Sequence, residues 1–547
     1  TNMPPPAKPA PADASTADAS TAAASASAPA IPPETLSAIK GLSPPDLWHH
    51  FASLSSIPRP SRRETAVLKY VKDFADSLGL RRTEDAAGNV CVFRPGSGGG
   101  EDAIPVVIQG HVDMVTEKNA DVDHDFDVDP ILLRRFEEEG HGGKVATWIG
   151  ARGTTLGADN GIGVAAALTL LGRPADVDVD GGGRPLPPIE ALFTVDEETG
   201  LNGAMGLDPE ALGLTGRTML NLDTEEWGDL YVGCAGGGDT RITLPLSRVE
   251  ERERAKEEDA DVLEVRVEGL MGGHSGINIH EGRANAVLLC ASAVRSAMKA
   301  ADDAAAAVAG GPGGADGTAA ALVSFEGGDK HNAIPREARA RLLVPKSARS
   351  AIEASVKASE EGFAAEYGTL EKGLKVSVAD AVVVAAADDD ASSPPPLDGP
   401  SARRLLSMLL SLPSGPLKFS HVIPDLVETS NNVASVSAAA SGSSSASVLC
   451  SSRSSVGPAL ERVRDRIEAA ASLAGASSVV RSEPYPGWNP DPNSEVLDVA
   501  RRLLRDRLHG AEPGVKAIHA GLECGLLREK MDSGDGGGGG DGISFGP

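Results

Sequence analysis

The stretch "VVIQGHVDMV", Val106–Val115, decides how the rest of the chain reads. Apolar residues lead into Gly110, and His111 and Asp113 follow two positions apart. Side chains two apart in an extended chain point to one face, so a strand emerging here carries an imidazole beside a carboxylate. Such a carboxylate fixes the tautomer and orientation of a metal-bound histidine. Alone, a histidine and an aspartate at this spacing are more often an ordinary loop pair. A metal site needs further ligands from elsewhere in the chain.

Working outward, "NVCVFRP", "IPVVIQG", "IEALFTV" and "TMLNLD" read as strands, and "NGIGVAAALTLL" as a helix beginning directly after Asp159. "TAVLKYVKDFADSLGL" spaces Val67, Leu68, Val71, Phe74 and Leu78 as one helix face. Leu47, Trp48 and Phe51 line another. Strands alternating with helices predict an α/β domain with a largely parallel sheet. After about residue 240 the texture changes. "DVLEVRVEGL", "ARARLLVP" and "ASVLCSSRS" read as strands, and "GRANAVLLCASAVRSAM" and "ALERVRDRIEAAASLAG" as helices of a second, α+β unit. The chain returns to the first domain at "YPGWNPDPNSEVLDVARRLLRD". "DVDVDGGGRPLPP", "AGGPGGADGTAAA", "AAADDDASSPPP" and "DSGDGGGGGDG" have the composition of flexible surface loops.

Three carboxylate-bearing segments supply what the opening stretch lacks. "GTTLGADNGIG" sets Asp159 between a glycine turn and a helix, "FTVDEETG" puts Glu197 and Glu198 at a strand end, and "LNLDTEE" does the same for Asp223. Groups at strand ends converge in the crevice where open α/β sheets bind ligands. One imidazole with several carboxylates suits Zn²⁺ or Mn²⁺ without thiolates. A carboxylate can bridge two ions about 3.5–4 Å apart. Of two adjacent glutamates, one can coordinate while the other accepts a proton. Taken singly, Asp159 reads as a helix N-cap and the glutamate pair as a solvated turn; their joint occurrence favours the metal site.

Composition narrows the partners. Lys and Arg total 51 against 78 Asp and Glu, a formal charge of −27, which repels nucleic acid and anionic membranes. No apolar run approaches the roughly 18 residues of a membrane span, and the first 33 residues contain no signal-peptide core. The five cysteines are scattered, without a CxxC pair, which argues against a disulfide framework or a thiolate zinc site and for a reducing compartment. "DVDHDFDVDP" alternates acids but fails the EF-hand positions for glycine and glutamate. "GGHSGI" falls short of a serine-hydrolase elbow. Cys524 near His519 reads as a buried thiol rather than a nucleophile.

"GHVDMV", "ARGTTLGADNGIG", "DEETG", "NLDTEE", "GCAGG", "GGHSG", "NAIPREA", "YPGW" and "HAGLECG" occur in order from about residue 45 to the end. Through them the chain resembles the cytosolic non-specific dipeptidases, also called aminoacyl-histidine dipeptidases, a branch of the di-zinc peptidases that includes carnosinases. The resemblance implies an α/β di-zinc peptidase catalytic domain with an inserted α+β lid that also dimerises. The domains expected are a disordered Ala/Pro/Ser-rich tail over 1–40, catalytic domain over 41–240, lid over 241–484 and catalytic domain again over 485–547. His111 and Asp223 would hold one ion, Asp159 would bridge and Glu198 would hold the second. The cofactors expected are two divalent ions, zinc first, with manganese or cobalt as alternatives. Glu197 would be the general base and Asp113 would orient His111. His274 would stabilise the developing oxyanion, while Asn332 and Arg453 would grip the substrate's carbonyl and carboxylate. Glu523 would receive its amino terminus or else serve as a buried structural acid. The implied activity is hydrolysis of dipeptides, including those ending in histidine, by a cytoplasmic homodimer that binds neither nucleic acid nor membrane.

In that family a last ligand histidine follows shortly after the segment matched by "ISFGP"; here the sequence stops at Pro547, and no histidine lies beyond His519. The expectation is a fragment, or a truncated homologue that binds the second ion poorly. The competing expectation is a weakly active or non-catalytic dimeric scaffold that binds peptides; the presence of Glu197 and Asp113 argues against it.

Overall fold

A computed structural model of the protein describes residues 30–139, 145–173, 185–249, 260–309, 319–381, 395–438, 444–491, 493–532 and 540–546. Most of the four low-complexity stretches, and residues 1–29 of the expected tail, lie outside this set. By compactness the chain forms two units. The first comprises Thr1–Val232, Asn493–Lys516 and Leu526–Pro547, and the second Gly233–Pro492 and Ala517–Gly525.

The first unit is built on a mixed sheet. Its order is Arg81–Glu84, Val90–Arg94, Ile189–Thr194, Val106–His111, Thr218–Asn221, Asp541–Ser544, Asp229–Cys234 and Gly514–Ile518. The four strands from Ile189–Thr194 to Asp541–Ser544 run parallel. The pairings at the Arg81–Glu84 edge, and that of Asp541–Ser544 with Asp229–Cys234, are antiparallel. The expected largely parallel sheet therefore holds for its centre only. At that edge a tight turn joins Arg81–Glu84 to Val90–Arg94: Asp85 accepts the N–H groups of Ala87 and Asn89, and Gly88 takes a φ of +95°. So short a connection can join only antiparallel strands.

Helix Thr65–Ser77 buries Val67, Leu68, Val71 and Phe74, and Leu78 packs beside them. Helix Ala158–Gly172 buries Val164, Ala165, Leu168 and Leu171 in the same core. The folded chain also starts earlier than expected. Pro33–Ile39 is a helix with Pro at its start; Thr35 and Ala38 are buried, and the Leu133 N–H donates to Thr35 Oγ1 at 3.2 Å. One polar anchor and a small apolar face suffice there, because Ile31 and Ile39 join the same core.

The parallel centre positions the site. His111 ends one strand, Asp196 to Glu198 follow the end of Ile189–Thr194, and Asp223 follows Thr218–Asn221. Parallel strands bring these ends to one edge of the sheet. A buried polar ladder fixes the register: Gln109 Nε2 donates to Thr194 Oγ1 at 3.0 Å, Asn221 Nδ2 to Gln109 Oε1 at 2.6 Å, and Ser544 Oγ to Asn221 Oδ1.

The second unit is a sheet whose described pairings are all antiparallel, running from Lys375–Asp380 through Ala260–Glu268, Ala338–Pro345, Ala321–Gly327, Val427–Ser437, Ser445–Ser454 and Gly236–Pro245 to Ser478–Arg481. Helices Ala286–Ala309, Arg349–Tyr367, Gly399–Ser411 and Gly457–Leu473 share its apolar core. Two segments expected in the catalytic domain group here instead. Tyr485 and Trp488 bridge to the backbone of Gly237 and Cys234. The Ala235 N–H lies 3.0 Å from Ile518 O and 3.1 Å from Ala520 O, which holds Ala517–Gly525 in this unit. Backbone pairing, which composition does not reveal, decides both assignments.

Candidate metal centre

His111 is 1 % exposed, and its Nε2 faces three carboxylates: Asp159 Oδ1 at 2.9 Å, Asp223 Oδ1 at 3.3 Å and Glu197 Oε2 at 3.9 Å. On the other side of the ring, Nδ1 lies 3.2 Å from Asp113 Oδ1, off the line of a full hydrogen bond. Asp113 is fully buried and accepts from Ser61 Oγ at 2.7 Å, from the Glu197 N–H at 3.1 Å and from the Glu198 N–H at 3.2 Å. It therefore ties the end of strand Val106–His111 to the turn carrying the glutamate pair. In that turn Asp196 adopts a φ of +49°, its side chain bonding Thr199 and Asn202. His111, Glu197 and Glu198 offer ligand atoms within 4.8 Å of one another, as do His111, Asp159 and Asp223.

Asp159 is not the helix cap that its position suggests. Helix Ala158–Gly172 has no side-chain cap, and Asp159 and Asn160 depart from helical geometry within its first turn. Released from the helix, the Asp159 carboxylate reaches His111 while Asn160 Nδ2 donates to Leu222 O at 2.6 Å and to Asp223 Oδ1. Gly110 leaves room for this, since a Cβ there would collide with Asn160 Oδ1.

The charges are unbalanced. Burial and then the Asp159 charge push the Glu198 carboxyl up to about 7. Burial also raises Asp223, with Asp159 adding to it and His111 opposing. Burial works against a charged His111, yet Asp223, Asp113 and Asp159 together pull its pKa well above the ordinary range. Burial would raise Asp113 too, but the adjacent His111 ring and hydrogen bonds from Ser61 and the Glu197 N–H hold it at about 2. Arg59 is lowered to about 10 by its burial, against the pull of Asp113, Asp159 and Glu198. An imidazole nitrogen surrounded by carboxylate oxygens with too little positive charge fits a divalent cation, and the donor set, free of thiolates, fits zinc or manganese.

The other candidates lie in the second unit. His274 Nδ1 accepts the N–H groups of Gly276 at 3.1 Å and Ile277 at 3.0 Å, which leaves the ring proton on Nε2. Burial, then Arg453 and His331, lower its pKa to about 4, so it stays neutral near pH 7. Arg453 is buried; Nη1 donates to the Tyr485 hydroxyl at 3.0 Å and Nε has no partner. Gly276 lets the two stand together: a Cβ there would lie 3.1 Å from His274 Cε1 and 3.2 Å from Arg453 Nε. His519, bonded to Ser430 Oγ at 2.7 Å, is held at about 3 by burial and by Arg453. Asn332 is exposed beside strand Ala333–Ile334, its carbonyl accepting the Ser275 N–H at 2.8 Å. Glu523 is fully buried at the start of helix Glu523–Asp532.

Sequence reasoning missed Arg59, Ser61, Asn160, Tyr485 and the place of His519 near Arg453. The quoted motifs "ADNG", "YPGW" and "HAGLECG" contained three of them, but spacing alone does not say which residue of a motif turns inward.

A family model described as a peptidase dimerisation domain matches residues 265–369. The cytosol non-specific dipeptidase of Escherichia coli (strain K12) is 35 % identical over 494 residues, covering 90 % of this chain and 90 % of the relative. The crystal structure of aminoacylhistidine dipeptidase from Vibrio alginolyticus superposes with a TM-score of 0.75 at 34 % identity, covering 93 % of this chain and 91 % of that one.

Proposed function

This chain belongs to the metallopeptidase family of the cytosol non-specific dipeptidases, and from that premise we propose how its residues hydrolyse a dipeptide. The observation that carries the assignment is His111 Nε2 facing Asp159, Asp223 and Glu197, with Asp113 behind the ring accepting the N–H groups of Glu197 and Glu198. His111, Asp223, Asp159 and Glu198 are the residues that would hold the divalent ions, His111 and Asp223 one of them, Glu198 the other and Asp159 both. Zinc is the first choice, with manganese or cobalt as alternatives. When bound, such ions polarise the scissile carbonyl and acidify water.

The rest is done by the chain's own groups. Glu197 accepts the proton of the attacking water and returns it to the leaving amine. Asp113 keeps His111 in one tautomer and sets the direction of both glutamates through their backbone. His274, neutral with its proton on Nε2, donates to the developing oxyanion. Arg453, buried and without a carboxylate partner among its described bonds, receives the substrate carboxylate. Asn332 contacts the carbonyl, and Glu523 is assigned to the amino terminus. The substrates are dipeptides, including those ending in histidine; the protein acts in the cytoplasm as a homodimer, with residues 265–369 supplying the interface.

Replacing Glu197 by Gln tests the chemical core. Turnover should fall about 10²- to 10⁴-fold while metal content per chain stays unchanged. Undiminished turnover in that variant would remove Glu197 from the role of base.

A further inference from the structure

We propose that Arg59 is the positioning residue that holds together the two loops bearing the metal ligands. The proposal rests on the ligand assignment above and adds a residue to it. Arg59 lies in "IPRPS", beyond helix Pro45–Ser55, and is 2 % exposed. Its Nη1 donates to Val112 O and to Asp113 O, each at 2.9 Å, and its Nη2 donates to Gly157 O. Val112 and Asp113 directly follow His111, and Gly157 stands two residues before Asp159. One planar group thus joins the loop leaving strand Val106–His111 to the turn entering helix Ala158–Gly172.

Only a guanidinium presents donors in a rigid fork wide enough for this arrangement; a lysine ammonium is a single point on a flexible stem. The surroundings are shaped for it. A Cβ at Gly157 would come within 2.5 Å of Nη2, and one at Gly161 within 2.6 Å, so both glycines keep the space that the fork fills. Every hydrogen bond described for Arg59 ends on a neutral carbonyl. Burying a charge without a direct ion pair is unfavourable. The carboxylates of the neighbouring centre offset that cost from a distance, while the fork fixes the backbone that carries His111 and Asp159. Arg59 touches no reacting atom; it acts through the ligands, so its loss should appear first as lost metal affinity.

The experiment uses the full chain, stripped of metal and titrated with Co²⁺ while visible absorption is followed, for the wild type, Arg59→Lys and Arg59→Ala. Both variants should bind about 10- to 100-fold more weakly. Millimolar guanidinium chloride, far below denaturing levels, should restore part of the Arg59→Ala affinity, and ammonium chloride should not. Arg59→Lys keeps the charge and most of the volume, so it decides the matter if Arg59→Ala does not fold. Wild-type affinity in Arg59→Lys would overturn the proposal. So would an Arg59→Ala protein whose metal-free form melts far lower and whose affinity guanidinium leaves unchanged, since that marks core packing. Cobalt uptake by the wild type separates the ligand assignment from the role of Arg59. No uptake sinks the ligand assignment itself, whereas uptake with an unaffected Arg59→Lys sinks only the role of Arg59.

Discussion

Asp113 lies fully buried behind the His111 ring. Accepting a serine hydroxyl and two backbone N–H groups, it has about three of its four acceptor sites committed, and the one left on Oδ1 faces His111. A carboxylate so held cannot rotate, and the ring and the glutamate pair it touches inherit its rigidity. Arg453 is built in the opposite way, with one bond to Tyr485 and an Nε left over. Arg453→Gln should therefore raise KM for dipeptides about 10- to 100-fold, the worth of a charge-assisted hydrogen bond to the substrate carboxylate. The control is a dipeptide amide, whose KM should hardly move; an equal rise for both would detach Arg453 from the carboxylate. At this scale the sequence was legible wherever chemistry recurs with a fixed spacing, as for His111, Asp113 and the two glutamates. Arg59 and Asn160 were not legible, because their partners are backbone carbonyls and a side chain brought close only by the fold.

Strands place these residues, and the ladder through Thr194, Gln109, Asn221 and Ser544 sets their register. A slip of one residue would turn His111 to the other face of the sheet. Gln109→Leu would strand the Asn221 amide in the interior, at a cost of about 1–3 kcal/mol. Its expected signature is a lower midpoint in equilibrium urea unfolding together with weaker metal binding. A midpoint equal to that of the wild type would mean that apolar packing alone fixes the register. The four apolar segments around the centre were readable as strands because burial on both faces makes them continuously apolar. The antiparallel edge was not readable, because Arg81–Glu84 is short and mostly exposed. Nor was the break at Asp159, where the contact of its carboxylate with His111 overrides the helix that the flanking sequence favours.

The molecule as a whole carries a charge of −27 and, among the described residues, no helix long and apolar enough to cross a membrane. Its stability should depend on pH through histidines kept neutral inside it. Burial lowers His50 to about 4, and its Nδ1 lies 2.9 Å from the Tyr70 hydroxyl. The unfolded chain takes up a proton near the ordinary value of 6.5 and the folded one only near 4. Stability from this group is therefore full above about 6.5 and is lost as pH falls toward 4, by about 3 kcal/mol at most. His50→Gln should flatten the fall in unfolding midpoint between those limits; an unchanged slope would assign it to other groups. The two-unit plan was legible from the change of texture near residue 240. The placement of Ala517–Gly525 was not, because it rests on backbone bonds to Ala235.

The most direct test of the central claim is diffraction at the zinc absorption edge from crystals of the zinc-loaded protein. An anomalous peak bounded by His111 Nε2 and the carboxylates of Asp159 and Asp223 is the expected result. Peaks elsewhere, with this cluster holding none, would contradict the assignment and the mechanism built on it.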